Sequence, residues 1–395
     1  MKSRMTNRRR LGVAAVALLV VIVVVTNFSV SRLKNLRLSN IDNLAGMLSL
    51  ISNENSKKQE EFFKKLEKMQ QQLYLKHEER LRNLESQNEY LIEQIKLMRS
   101  PPDKFPLREK LAFITPYDPK TKFPAYIWQT WKHGLNDDRF DVQYREGQAQ
   151  WAVKNPGFVH ELFNDDTTFA TVKHLYQHAP EVIEAYKLMP EVILKMDFFK
   201  YLILFAKGGV YADVDTVPLQ PVPNWIPDNV SPTELGLIIS VGSDSKLANW
   251  RLDTVRRLEF GNFVLQCKPG HPILREIIAS ITENTLRLRR TLKDGEQLAL
   301  EGLSNQKSLA ILKWTGSGLW TDTVLEYLND YVKLSIYQSV TWKDFHALEN
   351  PKLVSDVLVL PMKSFASTVE VSKDGKIGDP IAFVKHFLAN IWKSG

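Results

Sequence analysis

Three regimes of hydrophobic patterning follow one another along the chain. Leu11–Val25 is an unbroken run of Leu, Val, Ile and Ala with one Gly, and the 20 residues 11–30 contain no charge. At a rise of about 1.5 Å per residue, such a helix crosses the roughly 30 Å of bilayer hydrocarbon. No small-x-small cleavage site follows the run, since Ala15-Val16-Ala17 lies inside it. An uncleaved anchor is therefore expected in preference to a removed signal peptide. Residues 56–98 are polar and lack Gly and Pro. Their apolar positions, Phe62, Leu66, Met69, Leu73, Leu81, Leu84, Leu91, Ile95 and Met98, step by fours and threes. That is a heptad seam. His77 marks an extra four-residue step, a stutter, and Asn88 takes a seam position. Self-association or a partner helix is expected here. Ser100-Pro101-Pro102 closes the helix, because proline cannot continue it.

From residue 105 the periods alternate between strand and helix. Strands are predicted at Ala125–Gln129, Phe158–Phe163, Val210–Val214, Leu235–Val241, Asn262–Gln266 and Val357–Leu360. Helices are predicted at Asp141–Asn155, Pro180–Met189, Glu191–Ala206, Pro272–Leu292, near 304–312, at 319–335 and at Ile381–Ile391. Asn164-Asp165-Asp166 supplies a helix cap. The alternation predicts an α/β layer architecture. The organisation expected is a cytoplasmic tail over 1–10, a transmembrane signal anchor over 11–30, a stalk over 31–104 with a coiled coil at 56–98, and a lumenal domain over 105–395.

Composition refines this picture. The net charge of +7 suggests a nucleic-acid surface until its location is considered. Residues 1–40 carry eight basic residues and no Asp or Glu, so 52 − 8 leaves 44 basic against 45 acidic residues elsewhere. The body is nearly neutral, and no nucleic-acid partner is implied. Five of the eight precede the apolar run, which favours a cytoplasmic N-terminus and type II topology. The single cysteine, Cys267, excludes an intrachain disulfide and reads as a buried small side chain.

Candidate chemistry concentrates at Gly208-Gly209-Val210-Tyr211-Ala212-Asp213-Val214-Asp215. An amphipathic helix runs into a glycine pair, where a left-handed stop is easiest. A short buried strand then carries Asp213 and Asp215 to its C-terminal end, with alternation placing both carboxylates on one side. Thr216-Val217-Pro218 ends it. Ligands of open α/β sheets bind beyond the carboxyl ends of strands. Two carboxylates there make a hard oxygen site suited to Mn²⁺ or Mg²⁺. Such an ion clamps a diphosphate and neutralises its charge as it leaves. Asp197 and Lys200, at i and i+3 on the preceding helix, share a face directed toward the glycine turn. Trp128-Gln129-Thr130-Trp131, just after a strand, is placed to hold a nucleotide base. Trp314–Asp322 combines glycines, aromatics and an acid as sugar-binding loops do, making Asp322 a candidate for the acceptor side.

Asp197-Phe-Phe-Lys200-Tyr201-Leu202 followed by the glycine pair and Tyr211-Ala-Asp213-Val-Asp215 resembles the signature of glycosyltransferase family 32. Ile127–Lys132, Asn155–Asp166 and His386 with Trp392 are similar to further stretches of that family. Phe260-Gly261-Asn262, Lys268–Pro272 and Trp314–Asp322 point to its fungal α-1,6-mannosyltransferase branch. Within that branch the chain looks nearer to the homologue that is a subunit of the Golgi mannan polymerase II complex. The resemblance spans roughly residues 105–393. It implies a GT-A (Rossmann-like) fold, GDP-mannose as donor, Mn²⁺, retention of configuration and a mannose-terminated N-glycan acceptor. It also implies a cis-Golgi membrane location and a hetero-oligomeric complex, in which the chain is either an active mannosyltransferase or mainly a structural subunit. By resemblance Asp213 and Asp215 are catalytic metal ligands, with His386 completing the metal shell. Asp197, Lys200, Gly209, Tyr211, Trp128, Gln129 and Thr130 bind the donor. The chain departs from the family pattern at Lys200, where Arg is usual, and at Phe387 and Ile391.

Overall fold

The computed structural model describes residues 56–98, 100–102, 104–293, 296–300, 304–331, 339–367 and 378–387. Leu11–Val30, Ile391 and Trp392 lie outside these. Among the described residues no helix is long and apolar enough to cross a membrane. The chain divides into two units, 1–89 and 90–395. Helix α1, Ser56–Met98, is continuous over 43 residues. Leu66, Met69, Leu73, Leu81, Leu84 and Leu91 of its predicted seam are all exposed.

The second unit holds a mixed sheet with helices packed against it. Strands β1 (Tyr126–Thr130), β2 (Val159–Phe163) and β3 (Gly209–Ala212) are mutually parallel, with β1 in the middle. Beyond β3 the order continues through β7 (Val264–Cys267), β5 (Leu237–Asp244), β9 (Val357–Leu360) and β8 (Lys352–Val354), and β6 (Leu258–Phe260) pairs with β5. β7 runs antiparallel to both β3 and β5. All four β3 residues are buried, which matches a short strand with neighbours on both edges.

Helices α2 (Leu107–Ile114), α3 (Val142–Lys154), α4 (Asp165–Leu175), α5 (Pro180–Leu188) and α6 (Val192–Lys207) occupy the first half of this unit. α7 (Pro272–Thr291), α8 (Ser304–Trp314) and α9 (Ser317–Glu326) follow. α6 is buried without a break from Asp197 to Phe205, and two charged side chains, Asp197 and Lys200, are sunk in this otherwise apolar and aromatic layer. Asn164 caps α4 as its sequence predicts, its side chain accepting from Thr167 N at 2.9 Å while Thr167 Oγ1 accepts from Asn164 N. α2, β6 and β8 are short elements without a clear period in the sequence.

Two expectations are corrected by long-range pairing. Thr216–Pro218 is itself a strand, β4, rather than a terminator. Val384–His386 is its antiparallel partner β10, so His386 lies on a strand and not on a terminal helix. The pairing joins residues 166 apart (384 − 218), a distance no local period encodes.

Candidate active site

The site is built from the end of α6 onward. α6 stops at Gly208, whose φ of 67° is left-handed and whose N–H still closes on the Leu204 carbonyl at 2.8 Å. Gly209 follows at φ 94°. A Cβ at Gly209 would stand 2.8 Å from the Tyr126 carbonyl oxygen, and one at Gly208 would stand 2.7 Å from the Pro269 ring. Glycine is thus required twice over, by dihedral and by close approach. The reversal sends the chain directly into β3, between β1 and β7.

β3 ends at Ala212, so strand alternation does not present the two carboxylates; a tight turn does. The Asp213 carbonyl accepts from Thr216 Oγ1 at 2.6 Å, from Thr216 N at 3.1 Å and from Gln129 Nε2 at 3.4 Å. The Asp213 N–H donates to Phe263 O at 2.8 Å. Val214, between the carboxylates, is buried against Phe140 and Tyr144 and pins the turn. On its far side the Asp215 carbonyl accepts from Phe387 N at 3.0 Å, and β10 thereby closes the turn.

Asp197 and Lys200 face this turn from α6. Lys200 Nζ lies 2.9 Å from Asp197 Oδ1, 3.4 Å from Asp213 Oδ1 and 5.0 Å from the Tyr211 ring centre. Burial opposes the charge of Lys200, but the Asp197 and Asp213 carboxylates outweigh it and hold its pKa well above the ordinary lysine value. Asp213 moves up from the ordinary carboxylate value through burial and the nearby Asp215, with Lys200 opposing. Asp197 is held further by two residues to which the sequence assigned no role. Asn262 Nδ2 reaches its Oδ1 at 3.4 Å, and Thr315 Oγ1 donates to its Oδ2 at 3.2 Å. Asn262 Nδ2 also donates to the Tyr201 hydroxyl at 3.1 Å, which in turn donates to Thr315 O at 3.1 Å. Their only signals in the sequence are two glycine-containing stretches, Phe260–Asn262 and Trp314–Gly316.

His386 approaches Asp215 with Nε2 at 3.4 Å from Oδ1 and stacks on Phe263 at 4.3 Å between ring centres. Its Nδ1 is buried with no hydrogen-bond partner among the described residues. Three carboxylates (Asp197, Asp213, Asp215) meet one ammonium, Lys200, in this cluster. A hard divalent cation offsets that negative excess, and His386 Nε2, which faces Asp215, is the imidazole nitrogen placed to meet it. Among the described residues no group of three or more His, Cys, Asp or Glu forms a ready-made metal cage. Asp213 and Asp215 supply oxygen donors of the kind such a cation takes alongside the oxygens of a bound phosphate.

The β1 residues sit beneath the site. Trp128, Gln129 and Thr130 all lie within the strand, which runs one residue further than expected, and all are buried. Trp128 Nε1 donates to the Gly208 carbonyl at 2.7 Å, and its ring stacks on Tyr126. It supports the glycine reversal from the core and offers no face to a base. Thr130 Oγ1 and the Tyr211 hydroxyl share a hydrogen bond of 2.8 Å. Gln129 Oε1 meets His160 Nε2 at 2.8 Å, and burial lowers His160 to about 4, so the ring is neutral and donates. His160, Gln129 and the Asp213 carbonyl form one relay that fixes the turn. Trp131 alone leaves the strand; it packs edge-on to Tyr144 and donates to Asp141 Oδ2 at 3.1 Å. Asp322 is drawn to Arg256 at 2.5 Å on a half-exposed surface, and none of its hydrogen bonds joins the cluster.

Residues 141–232, which include the turn and α6, match the glycosyltransferase sugar-binding region containing a DXD motif. The chain is 44% identical over 331 residues to HOC1 of Saccharomyces cerevisiae, a protein named as a glycosyltransferase, covering 83% of this chain and 80% of that one. The chain belongs to that glycosyltransferase family. The glycosyltransferase is also 38% identical over 304 residues to the initiation-specific alpha-1,6-mannosyltransferase of Candida albicans, covering 74% and 78% of the two chains. Among solved structures it is similar to the PaToxG glycosyltransferase, at 14% identity and a TM-score of 0.34 over 57% of this chain and 77% of that one. Its mixed sheet and DXD turn make the fold a GT-A-like one, and divalent-metal dependence is the family's general property.

Proposed function

We propose that this glycosyltransferase is a retaining α-1,6-mannosyltransferase that moves mannose from GDP-mannose to a mannose-terminated glycan with Mn²⁺ as cofactor. We further propose that it acts as a type II protein of the Golgi membrane within a hetero-oligomeric complex. The observation that carries the catalytic reading is the buried Asp197–Lys200 pair reaching the part-exposed Asp213 of the Asp213-Val214-Asp215 turn. The likeness to chains named as α-1,6-mannosyltransferases supports the choice of sugar. Leu11–Val30 and its basic flanks support the anchor, and the exposed seam of α1 supports assembly.

Asp213 and Asp215, with His386 beside them, would hold the cation. When bound, that cation neutralises the donor's diphosphate and stabilises the departing nucleotide. The chain's own contribution is preorganisation. The Asp213 backbone is fixed by Gln129 and Thr216, and that of Asp215 by Phe387 just after β10, so the turn that carries both carboxylates is held in place as charge develops. Lys200 keeps a permanent positive charge beside Asp213, and Asp197 is held in place by Asn262 and Thr315 to meet a sugar hydroxyl. The decisive experiment gives purified full-length protein GDP-mannose, Mn²⁺ and an α-mannoside acceptor. Transfer that EDTA abolishes and Mn²⁺ restores is expected. No turnover, or inhibition by UDP in preference to GDP, would overturn the assignment.

A further inference from the structure

Helix α1, Ser56–Met98, carries its apolar seam in open solvent. Leu66, Met69, Leu73, Leu81, Leu84 and Leu91 are each 46–62% exposed, and with His77 and Asn88 they form one stripe. From Leu66 to Leu91 the stripe runs about 38 Å at 1.5 Å per residue. A narrow stripe of this period and length is the seam of a coiled coil, and it buries its leucines only against another helix.

Three polar residues on or beside the stripe say which helix that is. With Leu81 at a and Leu84 at d of the heptad, Asn88 takes the next a and Leu91 the next d. Arg80 then falls at g and Glu85 at e, the two positions that flank the seam. Among the described residues none of these three has a hydrogen bond or ion pair. An amide enclosed in an apolar seam needs a polar partner in its own layer. A second copy of α1, parallel and in register, supplies one, because Asn88 then meets Asn88. The same alignment brings each Arg80 to the Glu85 of the other helix, two equivalent pairs about a two-fold axis. The neighbouring flanking positions agree: Lys65 faces Gln70 and Gln72 faces His77, so no like charges are opposed. Antiparallel pairing does worse. With Leu66 set against Leu91, Asn88 falls opposite Met69 and the two Arg80 side chains oppose each other.

We infer that α1 binds a second copy of this chain as a parallel, in-register coiled-coil dimer. The four-residue step at His77 locally unwinds the supercoil without breaking the seam. Leu11–Val30, read above as an anchor, would present two copies to each other in the same direction; this support alone rests on the proposed topology. The larger complex proposed above would then take up the chain as a pair, so that two catalytic turns arrive together.

The test uses purified full-length protein in detergent. Its single cysteine, Cys267, is buried, so a cysteine placed on α1 reports without interference. Under mild oxidation Leu84→Cys and Leu91→Cys should each link to their own copy, because d side chains of a parallel pair face each other. No disulfide joining residue 66 to residue 91 should form when Leu66→Cys and Leu91→Cys proteins are mixed. In sedimentation, Arg80→Glu turns both flanking pairs repulsive and should raise the dimer dissociation constant about tenfold. Arg80→Glu combined with Glu85→Arg should restore it, which a mere loss of helix stability would not allow. Sedimentation of the natural chain as a monomer, a link between residues 66 and 91, or a charge swap that fails to restore the dimer would overturn the inference. None of these readouts measures transfer, so the mannosyltransferase reading stands or falls separately.

Discussion

At Lys200 two requirements meet in one side chain. It neutralises Asp197 inside α6, and it places a positive charge beside Asp213. Lys200→Met removes the partner from a buried carboxylate and should cost about 3–5 kcal/mol, measured by chemical denaturation. Lys200→Arg restores the charge with a forked geometry and should keep stability within about 1 kcal/mol of the natural chain. Asp213→Asn leaves the turn's backbone bonds intact, since those use the peptide carbonyl and N–H. Transfer should fall at least about 100-fold in kcat while the denaturation midpoint holds, because only charge at the reacting centre is lost.

The glycine reversal and the turn after β3 act as elements rather than as single residues. Gly209→Ala forces a side chain into a left-handed backbone and against the Tyr126 carbonyl. A loss of more than about 2 kcal/mol is expected on urea titration, together with lowered activity, because α6 and β3 must both shift. At the other extreme, Asn164→Ala removes a cap and should cost about 1 kcal/mol with transfer unchanged. Elements with a strong local signal are legible in the amino-acid sequence alone: the α6 helix, its glycine stop, the Asn164 cap and the parallel strands β1 and β2. β4 and β10 are not, because three-residue strands have no period of their own and exist only through each other. The same cause hides the setting of His386. Asn262 and Thr315 converge on Asp197 from 65 and 118 residues away, so their partnership leaves no trace in spacing. Trp128 misleads for a different reason. A tryptophan beside a site reads alike whether it faces a ligand or braces the backbone beneath one.

At the scale of the molecule, a buried polar knot ties the sheet to α7 on the side away from the catalytic turn. Asp356 accepts from the Tyr117 hydroxyl at 2.8 Å and the Tyr327 hydroxyl at 2.9 Å, and it meets His271 Nε2 at 3.2 Å. Burial pushes the Asp356 carboxyl upward, yet these three partners prevail and hold it at about 2, below its ordinary 3.8. A depressed carboxylate contributes stability that is present above the unfolded value and lost as pH falls toward the folded one. That contribution is about 2 kcal/mol at neutral pH, with about half gone by pH 3. Urea midpoints of the natural chain should therefore fall between pH 5 and pH 2 more steeply than those of Asp356→Asn.

The pairing of β4 with β10 has a consequence for how the enzyme comes into being. The ribosome releases Asp215 171 residues before His386 (386 − 215). Throughout that interval the nascent chain holds both carboxylates but lacks the strand that walls them in. Loop closure over so long a separation is slow. The wall of the catalytic turn is thus delivered well after the carboxylates it encloses, and the turn is walled in only once β10 pairs with β4.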